Sequence, residues 1–339
     1  MDNRAAVLYG PRDLRVEDRP VPVPGPHEVL VRVAAVGVCG SDVHYYEHGR
    51  IGDFVVEQPL VLGHEAMGTV EAFGAAAHRH AVGTRVAVEP GVPCGRCARC
   101  RTGRYNLCAD VAFFATPPVD GAFAHYVTVH EDFAHALPDH VTDTAGALLE
   151  PLSVALWAVR RGDVRPGDRV LVTGAGPVGL LAVQAARIAG AARVVVTDVN
   201  PSRLATALRL GADEAFDARE GVPRSEPPAD VLLECSGAPA AVEAGILGLR
   251  PAGTAVLVGM GPDSRMPIPT QVVQNREITL TGTFRYANTY PAAVALAAAG
   301  RVDLDALVTG TYALDDTAHA LTAARTDPAV VKPVVLPHG

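Results

Sequence analysis

The chain has 339 residues, 49% of them apolar and only 19% charged against a typical share of about 25%, so it can bury a sizeable core and is not a disordered polymer. Its formal net charge is −8 with no long basic run, which argues against nucleic acid or an anionic membrane as a partner. Of 29 Lys and Arg residues only Lys332 is a lysine, a bias that fits a GC-rich coding sequence rather than a functional demand.

The N-terminal residues run directly into a strand-like Val7-Leu8-Tyr9 with no secretion-signal pattern. The longest apolar run, Ala292 to Ala299, is far shorter than the ~20 residues of a membrane span. A cytoplasmic location is expected. Up to about residue 150, short Val-rich runs bounded by Gly and Pro (29–33, 68–71, 85–88) predict the strands of an irregular all-β unit.

From about residue 153 the texture alternates. Strand 169–173, helix 178–189, strand 193–197, helix 202–210, strand 231–235, helix 240–249 and strand 255–258 follow in order. Such alternation implies right-handed βαβ units and a doubly wound parallel sheet. Helix 291–299 then leads to Val308 and a closing run 334–336. The fold class is therefore α/β, with divisions expected at 1–152, 153–285 and 286–339. An edge strand near 255–258 or 279–283 is a plausible pairing surface for a homo-oligomer, dimer or tetramer.

Strand 169–173 is followed at once by Gly174-Ala175-Gly176-Pro177-Val178-Gly179 and a helix, the context that makes a GxGxxG a dinucleotide site. Gly174 permits the tight turn, Gly176 lets a pyrophosphate approach the backbone, and Gly179 lets the helix pack close to the sheet. The phosphates would lie at the helix N-terminus, where free N–H groups favour an anion. Asp198, 19 residues beyond Gly179, suits the ribose hydroxyls and disfavours a 2′-phosphate, pointing to NAD over NADP. Arg203 is the opposing feature, since it could serve a 2′-phosphate or bracket the adenosine.

Cysteines 94, 97, 100 and 108 place four thiolates in one loop, enough for a closed tetrahedral shell and hence a structural zinc. An iron–sulfur cluster is the alternative, but the fourth cysteine lacks the following Pro of ferredoxin runs. Cys235 falls in a nucleotide-domain strand and reads as core packing. Cys39 is then the one thiolate left for a catalytic metal, whose remaining ligands must be N and O. Gly63-His64-Glu65 offers an imidazole beside a carboxylate, and Glu150 stands near the domain junction.

Gly63-His64-Glu65-x2-Gly68-x5-Gly74 resembles the signature of the zinc-containing medium-chain alcohol dehydrogenases. Segments 39–52, 103–108, 113–121, 149–153 and 283–289 resemble its sorbitol (L-iditol 2-)dehydrogenase and xylitol dehydrogenase branch, so that the likeness spans nearly the whole chain. It implies a GroES-like catalytic domain joined to a Rossmann domain, NAD as cofactor and two zinc ions per chain. Cys39, His64 and Glu65 are implied ligands of the catalytic zinc, with Glu150 touching it through water or substrate, or directly. Tyr45, Phe114, Thr116, Glu150, Arg285 and Tyr286 match the substrate pocket. Pro177, Val178, Asp198, Arg203, Val258, Gly259, Thr283, Phe284 and Arg285 join the three glycines as cofactor contacts. Vertebrate members of the branch have lost most of the structural-zinc cysteines, whereas this sequence keeps all four.

The chemistry so implied is oxidation of a polyol secondary alcohol to a ketose. Ser41 and His44 lie where a hydroxyl–imidazole relay would carry off the proton, and Asp42 is a candidate acceptor for the ring N–H of His64. Phe113 and Phe114 could line one wall of the pocket. A vicinal diol, an amino alcohol such as threonine, or a cyclitol or aminocyclitol is the alternative substrate; polar residues in the pocket favour a hydroxyl-rich chain. A crystallin-like nucleotide-binding protein is the non-enzymatic alternative, and would be expected to lack the metal ligands.

Overall fold

The computed structural model describes residues 2–221, 227–261 and 265–339. The chain divides into two compact units: residues 1–150, 290–300 and 304–339 form one, and residues 151–289 with 301–303 the other.

The first unit is built on a largely antiparallel sheet. Its path runs Ala134–Ala136, Arg85–Val88, Glu65–Phe73, Glu28–Gly37, Lys332–Leu336 and Val308–Ala313, and Tyr126–His130 also pairs with Glu28–Gly37. The Val-rich runs of the sequence are the inward faces of these strands; Val29, Val31, Val33, Val36, Val86 and Val88 are fully buried. One register detail brings distant residues together. Gly37 pairs with Glu65 and also with Val334. The strand carrying Gly37 then runs through Val38 into Cys39, so three distant segments meet at one end of the sheet.

The second unit is a six-stranded sheet in the order Glu214–Asp217, Arg193–Asp198, Arg169–Thr173, Ala229–Glu234, Leu249–Leu257, Thr279–Gly282, with every neighbouring pair parallel. This is the doubly wound order whose ligand crevice lies beyond the carboxyl ends of the central strands. Apolar residues fill the central strands on both faces, as a sheet covered by helices requires: Val170, Val172, Val194, Val196, Leu232 and Leu233 are all buried. Two expectations need correction. Residues 255–258 are not an edge, because Leu249–Leu257 lies between two strands and Thr279–Gly282 is the outer one. Cys235 lies just past the end of its strand, half-buried, rather than within it.

Candidate active site and zinc centres

The two GxGxxG glycines that matter most for packing have steric reasons. A Cβ on Gly179 would lie 1.8 Å from the Gly174 carbonyl oxygen, and Gly174 itself has a φ of +87°. Gly176 caps helix Pro177–Ile188 and meets nothing within 4 Å, the open space over a helix N-terminus that a pyrophosphate needs. Asp198 ends its strand with Oδ2 accepting from Ala175 N at 2.6 Å and Oδ1 from Asn200 N at 2.8 Å. The carboxylate therefore braces the glycine turn while each oxygen keeps a lone pair. Arg203, in helix Pro201–Arg209, has a buried Nε with no protein partner. These features fit a dinucleotide. Val258 N and Gly259 N are held by the Glu234 carbonyl, and Thr283 N by that of Leu257. Phe284 is exposed beneath the Arg285 guanidinium, and Arg285 takes the left-handed φ of +52°.

The sulfurs of Cys94, Cys97, Cys100 and Cys108 converge. Cys97–Cys100 is 3.4 Å, Cys94–Cys108 3.5 Å and Cys94–Cys100 3.9 Å. Four thiolates about 2.3 Å from one zinc stand about 3.8 Å apart, so the donor set fits a closed tetrahedral shell. Backbone N–H groups of Arg96 and Cys97 lower the Cys94 thiol to about 7, while burial and the neighbouring sulfurs push Cys100 up to about 12. The lobe is tied to the sheet by Tyr105, whose hydroxyl donates to the buried Glu89 at 2.8 Å; the other Glu89 oxygen lies 2.8 Å from His135 Nε2.

The second centre is assembled from the sheet end. Ligand atoms of Cys39, His64 and Glu65 lie within 4.8 Å of one another. Cys39 is the N-cap of helix Gly40–His48, where the helix dipole favours a thiolate. Asp42, fully buried in that helix, accepts from Cys39 N through Oδ2 and from Gly63 N through Oδ1, both at 3.0 Å. The same Oδ1 is 3.5 Å from His64 Nδ1, which leaves the other ring nitrogen for a metal. Burial opposes a charge on His64, yet Asp42 and Cys39 outweigh it and raise its pKa well above the ordinary value. A site this negative holds a cation, and an N, O and S donor set with three protein ligands fits a catalytic zinc.

Glu65 is held from two sides. A Cβ on Gly37 would fall 2.1 Å from Glu65 Oε2, so only glycine leaves the carboxylate its place. Lys332 Nζ donates to Glu65 Oε1 at 2.6 Å and to the Val38 carbonyl at 2.8 Å. Its 2.5 Å approach to Oε2 is an ion-pair contact off the hydrogen-bonding direction. Lys332 is 2% exposed; burial opposes its charge, but Glu65 and Cys39 hold its pKa above the ordinary lysine value.

Glu150, at the start of helix Leu149–Arg161, is buried and acts electrostatically on Lys332 and Tyr290, but its carboxylate is not among the converging ligand atoms. Tyr45 and Phe114 are buried in the first unit with Thr116 half-buried, and Arg285 and Tyr286 belong to the second. Phe113 packs on the His64 ring, with centroids 5.8 Å apart. Ser41 and His44 sit three residues apart on helix Gly40–His48. Burial, then His48, lowers the His44 pKa, which favours the neutral imidazole a proton relay needs. The sequence does not point to Gly37, Glu89 or Lys332 as parts of the site; its one signal is that Lys332 stands alone among 29 cationic side chains.

A GroES-like unit carrying a three-ligand metal centre, followed by a dinucleotide-binding sheet, defines a metal-dependent alcohol dehydrogenase. Residues 25–139 match the family described as Alcohol dehydrogenase GroES-like domain, and residues 177–299 the one described as Zinc-binding dehydrogenase. The chain belongs to the zinc-containing medium-chain alcohol dehydrogenases. Within that family it is similar to the sorbitol dehydrogenase of Bacillus subtilis, 44% identical over 95% of this chain and 93% of that one. It is 44% identical to human sorbitol dehydrogenase over 94% and 92% of the two chains. Among solved structures, Escherichia coli L-idonate 5-dehydrogenase superposes with a TM-score of 0.94 at 31% identity, covering 99% and 98%.

Proposed function

We propose that the protein is an NAD- and zinc-dependent polyol dehydrogenase that converts a secondary alcohol of a linear polyol to a ketose. The observation that carries this reading is the convergence of Cys39, His64 and Glu65 in a chain 44–46% identical to several sorbitol dehydrogenases. When bound, zinc supplies Lewis acidity at the substrate hydroxyl, and NAD accepts the hydride.

The chain's own residues do the rest. Cys39, His64 and Glu65 would hold the metal, with Asp42 fixing the His64 ring through Nδ1 and leaving Nε2 available as a ligand. In the first unit, Glu150, Tyr45 and Thr116 offer polar groups to a hydroxyl-rich chain, while Phe114 and Phe113 line one wall. A pocket built to hydrogen-bond hydroxyls rejects analogues that lack them. The hydroxyl proton leaves through Ser41 and His44. Asp198 receives the ribose hydroxyls of NAD; its negative charge disfavours a 2′-phosphate, and Arg203 brackets the adenosine. The exposed outer strand Thr279–Gly282 supports assembly into a homo-oligomer by edge pairing. A cytoplasmic enzyme is consistent with the absence, among the described residues, of any helix long and apolar enough to cross a membrane.

The test is NADH formation by zinc-loaded protein across sorbitol, xylitol, ribitol, galactitol, inositols, 2,3-butanediol and threonine, with NADP in parallel. Turnover on linear polyols with NAD is expected. Activity confined to a diol, amino alcohol or cyclitol would overturn the substrate class while keeping the zinc and hydride chemistry.

A further inference from the structure

Lys332 ligates nothing, yet its ammonium touches the scaffold of two ligands. Nζ reaches the Val38 carbonyl, one peptide before Cys39, and both oxygens of Glu65, all within 2.5–2.8 Å. We propose that Lys332 is a positioning residue for the catalytic zinc: it ties the Glu65 carboxylate to the peptide that carries Cys39, and so fixes the separation of the two anionic ligands.

Two further observations point the same way. The first is compositional. Every other basic side chain among the 29 Lys and Arg residues is an arginine, and the exception falls at this slot. Two accepting oxygens and a third in ion-pair contact, all around one buried nitrogen, suit a compact ammonium better than a planar guanidinium fork. The second is charge. The Cys39 thiolate and the Glu65 and Glu150 carboxylates all act on the Lys332 ammonium. With the buried Asp42 carboxylate beside His64, these groups bring more negative charge to the site than a dication offsets, and Lys332 adds a buried positive charge there without being a ligand.

The inference rests on the reading of Cys39, His64 and Glu65 as the catalytic zinc site, and the four-cysteine zinc serves as internal reference. Purified holoenzyme is mixed with excess chelating dye, and release of each zinc is timed for wild type, Lys332→Met and Lys332→Gln. The catalytic zinc is expected to leave about tenfold faster in both variants while the four-cysteine zinc leaves at its wild-type rate. In the cobalt-substituted enzyme, the thiolate-to-cobalt absorption of the Cys39 site is expected to shift. Unchanged release and spectrum overturn the proposal. Equal acceleration of both ions, or loss of the fold in both variants, makes Lys332 a prop of the fold and overturns it too. Wild-type protein whose only zinc sits in the four-cysteine loop would instead overturn the underlying assignment of the Cys39 site, a result separable from the others.

Discussion

The four sulfurs of the 94–108 lobe come from fifteen consecutive residues, whereas Cys39, His64 and Glu65 come from the end of one strand and the start of the next, met by Lys332 from a third. In the lobe, the loop supplies every ligand, and Tyr105 binds it to Glu89 at the end of a sheet strand. At the sheet end, no ligand is placed by its own neighbours alone: Asp42 orients His64, Gly37 yields space to Glu65, and Lys332 grips it. A closed shell made by one loop stabilises a fold locally. An open shell made by sheet register is sensitive to every strand that contributes, which is how a reactive centre can be rigid and still keep a free position.

Four substitutions probe this contrast, from the largest effect on turnover to the smallest. Cys39→Ser is expected to lower kcat/KM about a thousandfold, several kcal/mol of lost charge stabilisation, while circular dichroism stays native. A metal-verified Cys39→Ser enzyme with wild-type turnover would remove this site from the chemistry. Gly37→Ala carries no ligand change, yet its methyl would collide with the Glu65 carboxylate. Metal analysis should find the catalytic zinc depleted and the four-cysteine zinc intact, with kcat/KM down about a hundredfold. Asp42→Asn keeps the shape but loses the charge facing His64 Nδ1, for an expected loss of about tenfold, read from steady-state kinetics at saturating zinc. Cys97→Ser inverts the pattern: turnover changes by no more than about twofold, while the melting temperature falls by about 10 °C in a calorimetric scan. Equal effects of Cys39→Ser and Cys97→Ser on both readouts would erase the distinction between the two centres.

The same contrast explains what could be read from the chain beforehand. The cysteine loop and the strand–glycine–helix of residues 169–188 are local, so their spacing alone announces them. The dispersed centre is legible only through the lack of any other free thiolate and a family resemblance, because the pairing of Gly37 with Glu65 leaves no periodic trace. The preference for arginine reads as a coding bias and does not single out Lys332. Its meaning lies in the pairing of Val334 with Gly37, which the sequence does not display. Among helices, Leu149–Arg161 is hidden in the sequence because Pro151 interrupts its pattern, though in a first turn proline removes no needed hydrogen bond. Thr317–Thr326 is hidden because its threonines weaken the helical signal.

The burial of Lys332 also bears on chemical durability. A ketose condenses through its carbonyl with unprotonated primary amines, the reaction behind glycation damage, whereas guanidinium groups stay protonated and are poor partners for it. The one side-chain amine of this chain is 2% exposed and engaged with Glu65 and Val38, so the surface offers the proposed product no lysine to modify. An enzyme working in its own concentrated ketose would keep its surface charge, and with it its solubility, through many turnovers.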